Sequence, residues 1–260
     1  MNAPAAAPIL AATGLVVQIG QRDVCCGLDL ALNPGECLAI LGRYGAGKST
    51  LLSTLAGLRG PVAGEVRLMG RSYAELGPRE AACRRGWLGQ HRGDLFASSV
   101  LETVLAGRHP HLGRWEWESA GDAKLARLAL QEVGLAGMES RDIQTLSGGE
   151  RQRLAIATLL TQAPALYLLD EPLAHLDLNH QIAVLDLFAA RARAGAAVVM
   201  VLHEPALAWR YCQRILVIHG DGRSDCGDRA DMLTAERLSR LYGHPLQVVD
   251  VDGQRAFLPQ

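Results

Sequence analysis

The stretch "LGRYGAGKST", residues 41–50, holds three glycines, a lysine and two hydroxyls directly after the apolar run "ECLAIL" at 36–41. It is followed by "KSTLLSTLAGL" (48–58), whose apolar residues recur at helical spacing up to a glycine. A corner needs one glycine, not three. Strand, glycine loop and helix in this order are the context of a phosphate loop, and Gly42-x-x-x-x-Gly47-Lys48-Ser49 fits that pattern. Glycines let backbone amides turn inward on phosphate oxygens, and the start of the helix adds its positive end. The expected ligand set is Gly42, Arg43, Tyr44, Gly45, Ala46, Gly47, Lys48, Ser49 and Thr50. Lys48 would reach the β- and γ-phosphates, and Ser49 would place its hydroxyl on Mg²⁺. The plainer reading, a glycine-rich turn that only caps a helix, competes poorly in this context.

Outward from the loop, the chain alternates strands and helices. Residues 9–19 and 24–32 read as strands around the turn-like "GQRD", with adjacent Cys25 and Cys26 as strand residues. "EVRLMG" and "RGWLGQ" read as further strands, the second ending at Gln90. From about 91 to 150 helix formers take over, which predicts a helical insertion within a single domain spanning 1–260. "ALYLLDEP" (165–172) and "AAVVMVLHE" (196–204) read as buried strands, and 205–260 as short helices and strands. The alternation predicts an α/β fold with a mainly parallel sheet and helices on both faces.

The 260 residues, 49% of them hydrophobic, allow a substantial core. A net charge of −1 gives no pull toward nucleic acid, which is not expected as a partner. Six cysteines without metal-like spacing suit a reduced, cytosolic setting. "MNAPAAAPIL" has no basic segment of a secretory signal, and no apolar run is long enough to span a bilayer.

Two further stretches carry chemistry. "LYLLDEP" delivers Asp170 and Glu171 at a strand's C-terminal end, where ligands sit in open α/β sheets. Asp170 would hold Mg²⁺, and Glu171 would orient or deprotonate an attacking water. Strand alternation predicts that the two side chains point opposite ways. "LSGGERQR" contains Ser147-x-x-Glu150, a capping box opening a helix. Its two glycines leave the helix N-terminus bare for a second anion. One copy has little use for two phosphate-seeking helix starts unless one serves a partner's nucleotide.

Together "GRYGAGKST", Gln90, "LSGGE", "YLLDEP", "LAHLD" and "LHE" resemble the ATP-binding subunits of ABC transporters, in the family's order and over essentially the whole chain. The resemblance implies a phosphate-loop core with an antiparallel β subdomain and the helical insertion. It implies ATP hydrolysis with Mg²⁺, and a head-to-tail dimer in which each ATP lies between one copy's phosphate loop and the other's Ser147, Gly148 and Gly149. Gln90 resembles the glutamine that touches Mg²⁺ and links the site to the insertion. Asp177 resembles the aspartate at the dimer seam, and His203 the histidine that senses the γ-phosphate. Membrane permease subunits are implied partners, a periplasmic substrate-binding protein an indirect one, and the inner face of the cell membrane the location.

The departures carry expectations of their own. Ile19 stands where the family has an adenine-stacking aromatic, a loss of about 1 kcal/mol by analogy with aromatic pairs. Arg43 would add charge near the phosphates or face water. Glu150 would be turned away by its capping box, with Arg151 and Arg153 offsetting it, and Pro205 would start the next helix early. "LAGRHPHLGRWEWES" and the tail "YGHPLQVVDVDGQRAFLPQ" resemble ATPases of iron–siderophore, haem and vitamin B12 import. His109 and His111 read as loop residues rather than haem ligands. A single-cassette ATPase of iron–sulfur cluster assembly is the alternative, and a phosphate-loop kinase is disfavoured by the second helix start.

Overall fold

The computed structural model describes residues 7–90 and 97–260. The first six residues of the N-terminal stretch, and the opening of the expected insertion at 91–96, lie outside the described residues.

Along the chain, β1 (Leu10–Ile19) and β2 (Arg22–Leu32) form a hairpin, and β3 (Cys37–Gly42) leads through the glycine loop into α1 (Lys48–Leu55). Next come β4 (Ala63–Leu68), β5 (Arg71–Ser72), α2 (Tyr73–Arg84) and β6 (Arg85–Leu88). The helical layer holds α3 (Val100–Leu105), α4 (Ala120–Glu132) and α5 (Gly148–Gln162). The core resumes with β7 (Leu166–Leu169), α6 (Leu178–Arg193), β8 (Ala197–Val201), α7 (Pro205–Tyr211), β9 (Arg214–Ile218) and β10 (Ser224–Asp228). The chain closes with α8 (Arg229–Met232), α9 (Ala235–Tyr242) and the hairpin β11 (Leu246–Val251) and β12 (Gln254–Pro259).

The central sheet has the order β10-β9-β3-β8-β7-β6, parallel except for β10, and the second sheet, β2-β1-β4-β5, is antiparallel. Strands β3, β7 and β8 are buried at every residue, as the continuous apolar runs require when both sheet faces are covered. Alternation along β3 divides the core. Cys37, Ala39 and Leu41 pack with Ile156 and Phe188 on the helical side, while Leu38 and Ile40 pack with Leu51, Leu55, Leu15 and Leu32 on the side of α1 and the antiparallel sheet. Two apolar layers thus hold the C-terminal ends of β3, β7 and β8 in one row, with α1 wedged between the sheets. Among the described residues no helix is long and apolar enough to cross a membrane.

Each helix of the helical layer starts on a capping box: Ser99 with Glu102, Ser119 with Asp122, and Ser147 with Glu150. The last of these runs on to Gln162, so the sequence boundary at 150 falls inside α5, which packs on the core sheet as well as on α3 and α4. Asp122 also pairs with Arg108 at 2.7 Å, and Arg108 reaches the Thr161 carbonyl on α5 at 3.2 Å.

Hydrogen bonds from the Ser119 hydroxyl and amide, and then Arg108, hold the Asp122 carboxyl down at about 2. A carboxyl depressed on folding stabilises the protein above its unfolded value of about 3.9, and that stabilisation is lost as pH falls through the folded value. Asp122→Asn should therefore melt below wild type at pH 7, with the gap closing between pH 4 and 2. A gap that persists at pH 2 in thermal melts would show that charge is not its origin.

Candidate active site

The glycine loop begins where β3 ends, and α1 starts at Lys48 with Gly47 as its N-cap. Gly47 has φ 100°, and a Cβ there would lie 2.5 Å from Val24 Cγ2, so both the turn and the close approach of β2 require glycine. No side chain caps α1, which leaves its first amides open toward the loop. Lys48 is only 6% exposed and donates to the carbonyls of Gly42 and Arg43 at 3.1 Å each. Burial pushes its ammonium below the ordinary lysine value, against the pull of Glu171 and Asp170.

Residues 121 positions apart meet beside it: the Ser49 hydroxyl donates to Asp170 Oδ1 at 3.0 Å. Asp170 is 3% exposed, its amide donates to Leu88 O at 2.8 Å, and burial raises its carboxyl above the usual range. One serine hydroxyl and one buried carboxylate suit Mg²⁺, which takes few protein ligands and completes its shell with water and phosphate. No group of three or more His, Cys, Asp or Glu is arranged for a metal among the described residues.

Glu171 is positioned by a different device from the alternation expected. β7 ends at Leu169, and Glu171 takes a left-handed backbone with φ 50°. That conformation costs an ordinary residue about 1–2 kcal/mol, and it separates Glu171 from buried Asp170. Glu171 Oε1 lies 3.0 Å from His203 Nε2 at the end of β8. A carboxylate held against an imidazole, next to a buried lysine and a Ser–Asp pair, can orient a water and take its proton. Pro205 opens α7 two residues later, as expected.

Other expected site residues are dispersed. Gln90 is exposed and, among the described residues, makes no hydrogen bond to Ser49, Asp170 or Glu171. It lines a groove of about 400 Å³ with Thr103 of α3, Gly148 and Gln152 of α5, and His175. The hydrogen bonds of Ser147 stay within α5: its amide meets Glu150 Oε2 at 2.7 Å, its hydroxyl accepts from Glu150 N at 3.3 Å, and its carbonyl accepts from Arg151 N. Asp177 caps α6, accepting from His180 N at 2.9 Å. Tyr44 at the loop tip is 96% exposed, and Leu178 beside Asp177 is 70% exposed. Arg43 is exposed, one of the two courses expected of it, and its Nε also donates to Leu241 O of α9 at 2.5 Å. Ile19 is exposed on the hairpin, opposite Arg22, which reaches Gly45 O of the loop.

Glu150 is turned back as the capping box implies, but Arg141 is its ion partner, at 3.0 Å. Arg151 donates to the carbonyls of Gln144 and Leu146, and Arg153 to those of Val133 and Gly134. Two residues escaped the sequence reading. Gln152 donates to Pro172 O at 2.9 Å and so ties α5 to the segment after Glu171; its place one turn beyond Gly148 was the available signal. His175, with φ 63°, packs against Gly148 and Gly149.

Residues 25–174 match the family description of ABC transporters. The chain belongs to that family. It is an ABC ATPase, and its fold is that of the family's ATP-binding domain. It is 41% identical over 249 residues to the hemin import ATP-binding protein HmuV of Deinococcus radiodurans, covering 94% of both chains. It is 42% identical to the protein of the same name from Streptomyces coelicolor, over 94% of this chain and 88% of that one. A solved inward-facing structure assigned to the metal-chelate type of ABC transporter matches with a TM-score of 0.84 and 29% identity, over 97% of this chain and 98% of that one.

Burial makes the Lys48 ammonium costly to the fold. Lys48→Met should not lower the melting temperature of the nucleotide-free protein, yet should abolish the stabilisation by ATP, which at 100 times Kd amounts to about 2.7 kcal/mol. Paired melts with and without MgATP check both halves. A mutant still stabilised by ATP to the wild-type extent would remove Lys48 from the site.

Proposed function

We propose that this ATPase powers import of haem or a related iron chelate, working as a head-to-tail pair docked on a membrane permease. The observation that carries the substrate class is the similarity to hemin import subunits along nearly the full length of both chains. The match to a metal-chelate transporter supports the same class. No observation favours the iron–sulfur assembly alternative.

In this reading each nucleotide is bound by the loop 42–50 of one copy and by Ser147, Gly148 and Gly149 of the other. The bare start of α1, the second start at α5, and exposed Tyr44 and Leu178 support it. Ser49 and Asp170, with Gln90, would hold Mg²⁺, which would supply neutralisation of charge building on the phosphates. Lys48 gives up its carbonyl partners to bind phosphate. Glu171 orients the attacking water and takes its proton, and His203 positions Glu171 and reports the terminal phosphate. Asp177 lies at the seam between copies. Closure drives the cycle because neither copy alone completes a site. The groove beside Gln90 and α5 receives a permease helix at the inner face of the membrane, and a periplasmic binding protein delivers the cargo.

Glu171→Gln should slow ATP turnover by about 10²–10⁴, the usual worth of a positioned base, while MgATP binding persists. In cells it should stop haem uptake. Loss of cobalamin or ferric-siderophore uptake with haem uptake intact would reassign the cargo. Sharing of sites is checked separately: Ser147→Arg and Lys48→Ala chains should each be inactive alone, and their mixture should regain ATPase activity through one intact site per mixed dimer. A mixture as inactive as its parts, with both chains folded and paired, would exclude sharing.

A further inference from the structure

We propose that Arg43 is a positioning residue that fastens the tip of the phosphate loop to the C-terminal unit of the same chain, setting the loop before ATP arrives. The unit is built as a fixed post. α9 buries Leu238 and Leu241 against the core, next to Val217 of β9, the strand paired with β3. Ser239 Oγ accepts from Leu246 N at 2.8 Å, which locks α9 to the closing hairpin. That hairpin lies on α7: Trp209 Nε1 donates to Gly253 O at 3.3 Å, and the Arg255 guanidinium sits 4.0 Å from the Trp209 ring centroid.

The contact at the top of the post is specific. Leu241 O belongs to the last turn of α9, where carbonyls lack helical partners and the helix end favours a cation. Arg43 Nε meets it at 2.5 Å. The helix ends at Gly243 with φ 71°, and a Cβ there would run into Arg43 Nη2, so the cap is glycine both for its backbone and to admit the guanidinium. Meanwhile the backbone carbonyl of Arg43 accepts from Lys48 Nζ and from Ala46 N, both at 3.1 Å. One residue therefore holds the loop from inside through its main chain and from outside through its side chain. A loop held in its bound shape loses less freedom on binding, so the tether acts on affinity.

The inference concerns the loop itself and rests on the ATPase reading only for its kinetic readout. Amide hydrogen exchange at 42–47 in the nucleotide-free full chain tests the tether directly. Arg43→Ala should speed that exchange severalfold, and so should Gly243→Asn, because asparagine tolerates the left-handed cap while its side chain expels the guanidinium. The double variant should be no worse than the more affected single one, and Arg43→Lys, which keeps a donor for Leu241 O, should recover most of the protection. Kinetically, Arg43→Ala and Gly243→Asn should each raise KM for MgATP severalfold, with kcat within about twofold, the signature of lost uniform binding. Wild-type exchange at 42–47 in either single variant overturns the tether, whatever the kinetics. A KM raised by Arg43→Ala but unchanged by Gly243→Asn would also overturn it, since Arg43 would then act on phosphate rather than through α9.

Discussion

The structure turns on keeping an ammonium and a carboxylate almost dry at the end of an apolar sheet. Lys48 and Asp170 are 6% and 3% exposed, and each carries a proton affinity shifted by that burial. Placing charges there is unfavourable unless partners are fixed in advance. The fold fixes them with elements that have little freedom. Strands β3 and β7 are buried on both faces, α1 is wedged between the two sheets, and the amide of Asp170 is pinned to Leu88 O. Lys48 donates to two carbonyls, and Asp170 accepts from one serine hydroxyl.

The same constraint explains why Glu171 has an unusual backbone. It must stand beside Asp170 without sharing its burial. Strand alternation would separate the two side chains, but β7 stops before either. A left-handed residue achieves the separation at a local cost, and His203 at 3.0 Å holds the outcome. Strain of this kind persists only where the surroundings over-determine it, and here the neighbouring strand ends and the bonds of Gln152 to Pro172 O do so.

What could be read from the sequence follows from how local each signal is. The phosphate loop, the strand before it and the helix after it are contiguous, and so they were legible together. Asp170 and Ser49 were named from separate stretches by pattern, but only folding places them 3.0 Å apart. The parallel sheet was legible because β3, β7 and β8 are unbroken apolar runs. Less visible were α2, with Gly77 and Pro78 inside it, and the closing hairpin, whose Asp252-Gly253 turn is a hairpin signal that the Val-rich tail masked. The destination of Arg43 was beyond sequence reasoning. Its partner lies 198 residues away and is a main-chain carbonyl, which no side-chain pattern announces.

The same logic accounts for Glu150, a carboxylate at a helix start that is meant for anions. Left free, its carboxylate could turn onto the open amides of this helix start. The capping box spends one of its oxygens on the Ser147 amide, and Arg141 takes the other. Those hydrogen bonds, led by the Ser147 amide, hold its pKa below the ordinary glutamate value, so it stays a fixed, paired charge rather than a mobile one. The arginines within α5 could not serve this end: Arg151 and Arg153 reach back to carbonyls that precede the helix and anchor it to the segment after α4. The charge is neutralised from outside the helix by Arg141, in the loop before it. That leaves Gly148 facing the groove that it lines with His175, Gln152 and Gln90, without a free carboxylate at the start of α5.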